Sequence, residues 1–340
     1  MRFGYWMPIF GGWLRNVPDE GMSIAWPYIR DLAADSERLG FEVSLIAELN
    51  LNDIKGHRAP SLDCWTLAPA VAAVTCELEL MLAVRPNYHS PSLTAKALST
   101  LDTVAASRLS LNVVSSWWRD EAQQYGAPFD VHDARYARTE EWLTVVSRML
   151  REDTVTHHGP LYQLEGAVLE PKPVQPPPVY MGGESPKAKE VIAAQADGYL
   201  MHGDPPDVIA AKVRDLAARR EAAGRPPMAF GVSGYVICRD TEAAARDELE
   251  RILDVKSSPE AYASYQDFIA GSQLESRVSL EEYSVSNRGL RSGLIGTPQQ
   301  IIDRLAAYEQ AGIGLVLLQF SPQREEMARF AETVISQYRG

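Results

Sequence analysis

Eight short apolar runs, each followed by a stretch of helical periodicity, constrain this chain more than any other feature. They cover residues 2–9, 41–46, 78–84, 109–114, 179–181, 198–201, 230–237 and 315–320. The runs are largely continuous in hydrophobicity rather than alternating, which is the pattern of strands buried on both faces of a parallel sheet. Between them, apolar residues recur at helical spacing. In Ser23–Gly40 the charges Asp31, Asp35 and Glu37 mark the wet face and Gly40 a stop. The same pattern predicts helices over 65–76, 92–104, 133–150, 187–196, 206–223, 241–253 and 298–311. Eight β–α units in one chain indicate an α/β fold, a (β/α)8 TIM barrel, and 340 residues fit a single domain of that kind spanning 1–340. A doubly wound sheet is the rival. It would carry GxGxxG after the first strand, where this chain reads PIFGGW, residues 8–13. Two stretches exceed a minimal barrel: 154–178 reads as a hairpin with a proline-rich crossover, and 257–292 as a long polar lid.

Charge and cysteine usage exclude several function classes. A formal net charge of −12 argues against a nucleic-acid or anionic-membrane surface, both of which need clustered Lys and Arg. Cys64, Cys76 and Cys238 match neither a zinc site nor CxxC, and they read as reduced thiols of a cytoplasmic protein. Neither a leader peptide nor a spanning segment is expected. HExxH, GxSxG, P-loop and EF-hand patterns are absent and the six histidines are scattered, so no metal site is expected.

In a barrel, functional residues gather at the C-terminal ends of the strands. The first end offers Gly11, Gly12 and Trp13; the second, Glu48 and Asn50; the third, Arg85 to His89. The fourth offers Asn112, Ser115, Trp117, Trp118 and Glu121, and the sixth His202 and Asp204. An Asn112 amide both donates and accepts, as the edge of a heterocycle requires. The fifth end, VYMGGES (179–185), is the most telling. Gly182 and Gly183 lack a Cβ and let a ligand approach the backbone, while Ser185 and Pro186 suit the first turn of a helix whose free N–H groups favour an anion. A bland strand-to-helix turn has the same spelling. If the anion reading holds, the Glu184 carboxylate should turn to solvent, because it would repel a phosphate.

Together these pieces resemble the bacterial luciferase-like flavin monooxygenases, and most the two-component branch acting on alkanesulfonates, dimethylsulfone and pyrimidines. The resemblance rests on LAVRPNYHSPSLTAK (82–96), LNVVSSWWRDE (111–121), HDARY (132–136), YMGGES (180–185), HGDPP (202–206) and LRSGLIGTPQQI (290–301), in order over nearly the whole chain. It implies reduced FMN (FMNH2) at the barrel mouth, with O2 as co-substrate and oxygenation of a small organic substrate through a flavin (hydro)peroxide. A separate NAD(P)H:FMN reductase and a homodimer or homotetramer are implied as well. Met181, Gly182, Gly183, Glu184 and Ser185 would surround the phosphate, and Arg135 and Tyr136 would stand beside it. Ala47, Glu48, Asn112, Ser115 and Glu121 would lie near the ring, with His132 against Tyr136 or at the entrance. Tyr235, Asn112 and His89 would manage protons, and Arg288 or Arg291 would supply charge from a mobile loop. The seventh strand departs from the alkanesulfonate pattern of an arginine and a histidine two residues apart, having Ser233 and Tyr235 instead. A sulfonate would lose one expected cationic partner by that departure, and the resemblance leaves sulfone, sulfonate and related small organic substrates open. A deazaflavin (F420)-dependent dehydrogenase and a non-catalytic flavin-binding paralogue are the alternatives on the same barrel.

Overall fold

The structure is a computed structural model. It describes residues 1–254, 262, 265, 266 and 279–338, apart from the side chains of Asn287 and Arg288. Eight parallel strands close into a barrel: β1 (Arg2–Trp6), β2 (Val43–Ile46), β3 (Glu79–Val84), β4 (Leu109–Val113), β5 (Val179–Met181), β6 (Gly198–Met201), β7 (Ala229–Tyr235) and β8 (Leu315–Gln319). Each strand pairs with the next in sequence, and β8 returns to β1 with Arg2 opposite Leu315. Helices fill the connections: α1 (Trp26–Arg38), α2 (Cys64–Ala72), α3 (Pro91–Ala105), α4 (Arg119–Gln124), α5 (His132–Arg151), α6 (Pro186–Gln195), α7 (Pro206–Ala222) and α8 (Glu242–Leu253). α9 (Leu280–Tyr283), α10 (Pro298–Gln310) and α11 (Gln323–Phe330) follow.

Local chemistry starts the helices where the strands stop. Asp63 caps α2 by accepting from the Thr66 N–H at 2.7 Å, and Thr297 and Gln300 form a capping box at the start of α10. The seam of the barrel is closed by edge-on aromatics. Phe41, Phe320 and Phe330 meet at centroid distances of 5.4–6.3 Å, contacts each worth about 0.5–1.5 kcal/mol beyond area burial.

The hairpin expected within 154–178 is present, as Val155–His158 paired antiparallel with Gln163–Ala167. Glu141 of α5 holds its turn by accepting from the N–H groups of Leu161 and Tyr162. Of the expected lid, 257–292, much lies outside the described residues. Its described end contains α9 and a 3-10 turn over Ser286–Ser292, and Val285 bridges back to Leu14. A short parallel pair, Ile237–Cys238 with Ile295–Gly296, extends β7 and went unread in the sequence, because two residues leave no periodicity. Among the described residues, no helix is long and apolar enough to cross a membrane.

Candidate active site

The C-terminal ends of the strands surround one cleft with about 300 Å³ of room, within the range of small-molecule sites. β1 contributes Trp6 and the loop after it Phe10 and Trp13; the residues just after β2 contribute Ala47 and Glu48. Asn112 and Ser115 come from the fourth end and Gly182 to Glu184 from the fifth. Tyr136, from the first turn of α5, also reaches it. All eight of these expected residues — Ala47, Glu48, Asn112, Ser115, Tyr136, Gly182, Gly183 and Glu184 — therefore share one wall-to-wall space.

At the fifth end the chain leaves β5 and enters α6 through two glycines. Gly183 has φ +144°, and a Cβ there would stand 2.7 Å from the Ala188 Cβ and 3.1 Å from the Tyr136 hydroxyl. A Cβ at Gly182 would stand 3.2 Å from the Leu200 carbonyl oxygen. The backbone is fixed from below by the Tyr199 hydroxyl, which donates to the Gly183 carbonyl at 2.9 Å. Ser185 caps α6, its Oγ accepting from the Ala188 N–H at 3.0 Å. The result is a tight backbone corner at a helix N-terminus, where α6, Tyr136 and β6 leave no room for a Cβ. A phosphoryl group fits this corner.

Glu184 corrects the expectation of a carboxylate turned to solvent. It lines the cleft, and Lys212 of α7 ion-pairs with it. Lys212 also bonds Asp204 at 2.6 Å, and Asp204 accepts from Arg291 Nε at 2.7 Å. Arg291 reaches Glu282 of α9 as well. Lys212 offsets part of the repulsion that Glu184 would exert, but Asp204 shares that ammonium, so a carboxylate on the cleft wall counts against an anion at this corner; the same ion pairs wire the corner to the segment around α9. Burial would raise Asp204, but hydrogen bonds from Lys212 and Arg291 outweigh it and hold the carboxyl below its ordinary 3.8. A depressed folded value means stabilisation present above the unfolded value and lost as pH falls through the folded one. Asp204→Asn should therefore be less stable than wild type at pH 7, with the gap closing below pH 3.8 in urea unfolding series.

The second and third ends meet in a buried charge cluster. Arg85, 1% exposed, bonds Glu121 through both Nη atoms, and Glu121 is fully buried. Glu121 also accepts from the Asn50 N–H and, at 3.3 Å, from the Tyr88 hydroxyl. This corrects the placement of Glu121 beside a ring: both its oxygens are consumed behind the cleft wall, and Arg85 is the residue that lines it. Glu48 Oε2 accepts the Arg85 N–H at 2.7 Å, while Oε1 meets His89 Nε2.

Other expected residues fall elsewhere. Tyr235 is 1% exposed, off the cleft, with Gly289 packed against it; burial pushes its hydroxyl far up, so it is a core phenol rather than a proton carrier. Arg291 is committed to Asp204 and Glu282, and the Arg288 side chain lies outside the described residues. Met181 is fully buried under the corner, and Ser185 sits behind it at 5% exposure. His132 packs on Tyr136 with ring centroids 5.1 Å apart, and Arg135 lies over Phe129 at 4.7 Å. Trp117 lines the cleft and stacks on Trp118 at 5.5 Å and 5°. Trp6, Tyr199, Ser233 and Ser286 also line it. Trp6, Tyr199 and Ser233 lie within strands, where the sequence signal is burial alone.

The signature of the luciferase-like monooxygenase family matches residues 1–314. The chain belongs to that family. Over 347 aligned positions it is 32% identical to an FMNH2-dependent dimethylsulfone monooxygenase of Pseudomonas putida, covering 98% of this chain and 94% of that one. Among solved structures, a long-chain alkane monooxygenase superimposes with a TM-score of 0.85 at 20% identity, over 100% of this chain and 91% of that one. A riboflavin lyase solved with modified FMN and riboflavin gives 0.83 at 19%, over 100% and 91%. These two establish the barrel, and the family member carries the chemistry: the protein is an enzyme, a monooxygenase.

Proposed function

We propose that the protein is the oxygenase component of a two-component system. It uses FMNH2 and O2 to oxygenate a small neutral substrate of the sulfone class. The glycine corner at Gly182–Gly183, set beside Tyr136 and a Glu184 paired with Lys212, is the observation that carries this reading. FMN phosphate would rest against that backbone and the α6 N-terminus, with the ring reaching toward Asn112 and Ala47. When bound, reduced FMN supplies the electrons that activate O2. The chain positions and dries the site: Trp6, Phe10, Trp13 and Trp117 present apolar surface that excludes water, and the Asn112 amide fixes an orientation. Nothing resembles a dinucleotide loop, so a separate NAD(P)H:FMN reductase supplies the flavin. A single-domain cytoplasmic protein acting as a homo-oligomer belongs to the same proposal.

Charge supports a neutral substrate. Arg85 is the one cation among the described lining residues, and Glu121 and Glu48 already claim it. Among the described lining residues a sulfonate would find no free arginine or lysine. The identity to a dimethylsulfone enzyme points the same way and favours FMN over F420, which rests on likeness of fold. In an anaerobic titration, photoreduced FMN should bind with Kd below about 100 μM, some 5.5 kcal/mol. With a reductase and NADH, mass spectrometry should detect an oxygenated sulfone. Absence of FMNH2 binding would overturn the reading.

A further inference from the structure

We propose that Glu48 and His89 form a proton path between the cleft and solvent, with Glu48 as its cleft-side catalytic member and His89 as the residue that recharges it. This rests on the oxygenase reading, since a reaction that sends one atom of dioxygen to water needs protons delivered inside a water-excluding site.

The geometry sets this pair apart within the cluster. Glu121 and Arg85 neutralise one another through paired hydrogen bonds, both nearly sealed from solvent. Glu48 has no matched charge of this kind: its Oε2 accepts the Arg85 backbone N–H at 2.7 Å, the Arg85 Nε lies 3.6 Å away, and that Nε is buried without a hydrogen-bond partner. Two carboxylates against one guanidinium leave a single negative charge, and the position that can balance it with a proton is the Glu48 Oε1–His89 Nε2 contact. Glu48 lines the cleft, and the His89 side chain is 24% exposed. The pair thus spans from ligand space to water.

The other groups packed on it hold their protons. Burial pushes the Tyr88 hydroxyl up to about 12, and burial raises the Cys64 thiol of α2 well above its ordinary value. Arg85 stays charged. Trp65 of α2 tilts against the His89 ring at 5.5 Å, and Trp142 of α5 donates to the His89 carbonyl at 3.0 Å. Trp65 thus packs on the imidazole and Trp142 anchors the His89 backbone, and neither titrates. In the transfer, Glu48 gives its proton to the oxygen leaving as water, His89 Nε2–H re-protonates Glu48 Oε1, and His89 regains a proton from solvent. No electrons move along the path.

The test is His89→Gln, whose amide can still donate to Glu48 but cannot relay a proton. Reduced-FMN affinity is measured anaerobically, and kcat is measured across pH with and without imidazole. The expected result is wild-type FMNH2 affinity, kcat lowered at least tenfold, a flattened pH profile, and recovery by imidazole. Wild-type kcat and pH profile would overturn the path. So would a lowered kcat that keeps the wild-type profile and ignores imidazole, which marks a merely structural role. Should His89→Gln fail to fold, Glu48→Gln must show the flattened profile instead, and an unaltered profile there overturns the path. Loss of FMNH2 binding in the wild type is a different result and strikes the oxygenase reading itself.

Discussion

Gly183→Ala is expected to raise the Kd for reduced FMN at least a hundredfold, about 2.8 kcal/mol at 1.4 kcal/mol per decade. Two effects combine. At φ +144° an L-residue is strained by about 1–3 kcal/mol, so the corner shifts away from its present shape. The new methyl would also stand 2.7 Å from the Ala188 Cβ, closer than real Cβ atoms approach, and 3.1 Å from the Tyr136 hydroxyl. Relief pushes α6 and Tyr136 outward, moving the helix N-terminus off the position a phosphate would use. An anaerobic fluorescence titration measures the affinity, and a melting curve shows whether the variant remains folded. An affinity within threefold of wild type in a folded variant would place the phosphate elsewhere.

The largest effect on stability is expected from Arg85→Met. The substitution keeps the unbranched apolar stem but removes the one cation between two buried carboxylates. Glu121 would lose both its Arg85 contacts while fully buried, and Glu48 would lose the nearest guanidinium. Breaking one side of a buried pair costs about 3–5 kcal/mol, because the remaining charge is left without its partner in a region of low polarity. Replacing both partners removes that charge, so Arg85→Met/Glu121→Leu should recover most of the loss. Urea unfolding of wild type, Arg85→Met, Glu121→Leu and the double variant measures this cycle. A loss below about 1 kcal/mol in the single variant would mean that water reaches the cluster.

Much of the fold was legible because burial writes a one-dimensional pattern. The run LSLNVV is continuously apolar apart from Ser110 and Asn112, and it became β4, with every residue of Leu109–Val113 buried. Ser185 and Pro186 announced the start of α6, since capping depends on neighbours in sequence. The corner at Gly182–Gly183 was legible for the same reason. Tyr235 misled because β7 places it at the mouth by count, whereas Gly289 packs on its backbone and Cβ and the residue is 1% exposed. Glu121 was read toward the cleft, but a helical residue's direction depends on what meets it, and Arg85 met it from 36 residues away.

The sequence by itself determined the barrel, the strand ends that carry polar groups, and the glycine corner, all of which follow from periodicity and short-range capping. Only the tertiary structure decided which charges are in use. Lys212 pairs with Glu184 across 28 positions, and Arg291 reaches Asp204 across 87. The physical reason is that a Coulomb contact depends on separation in space and on burial. Closing the barrel sets both of these, and neither leaves a period in the chain.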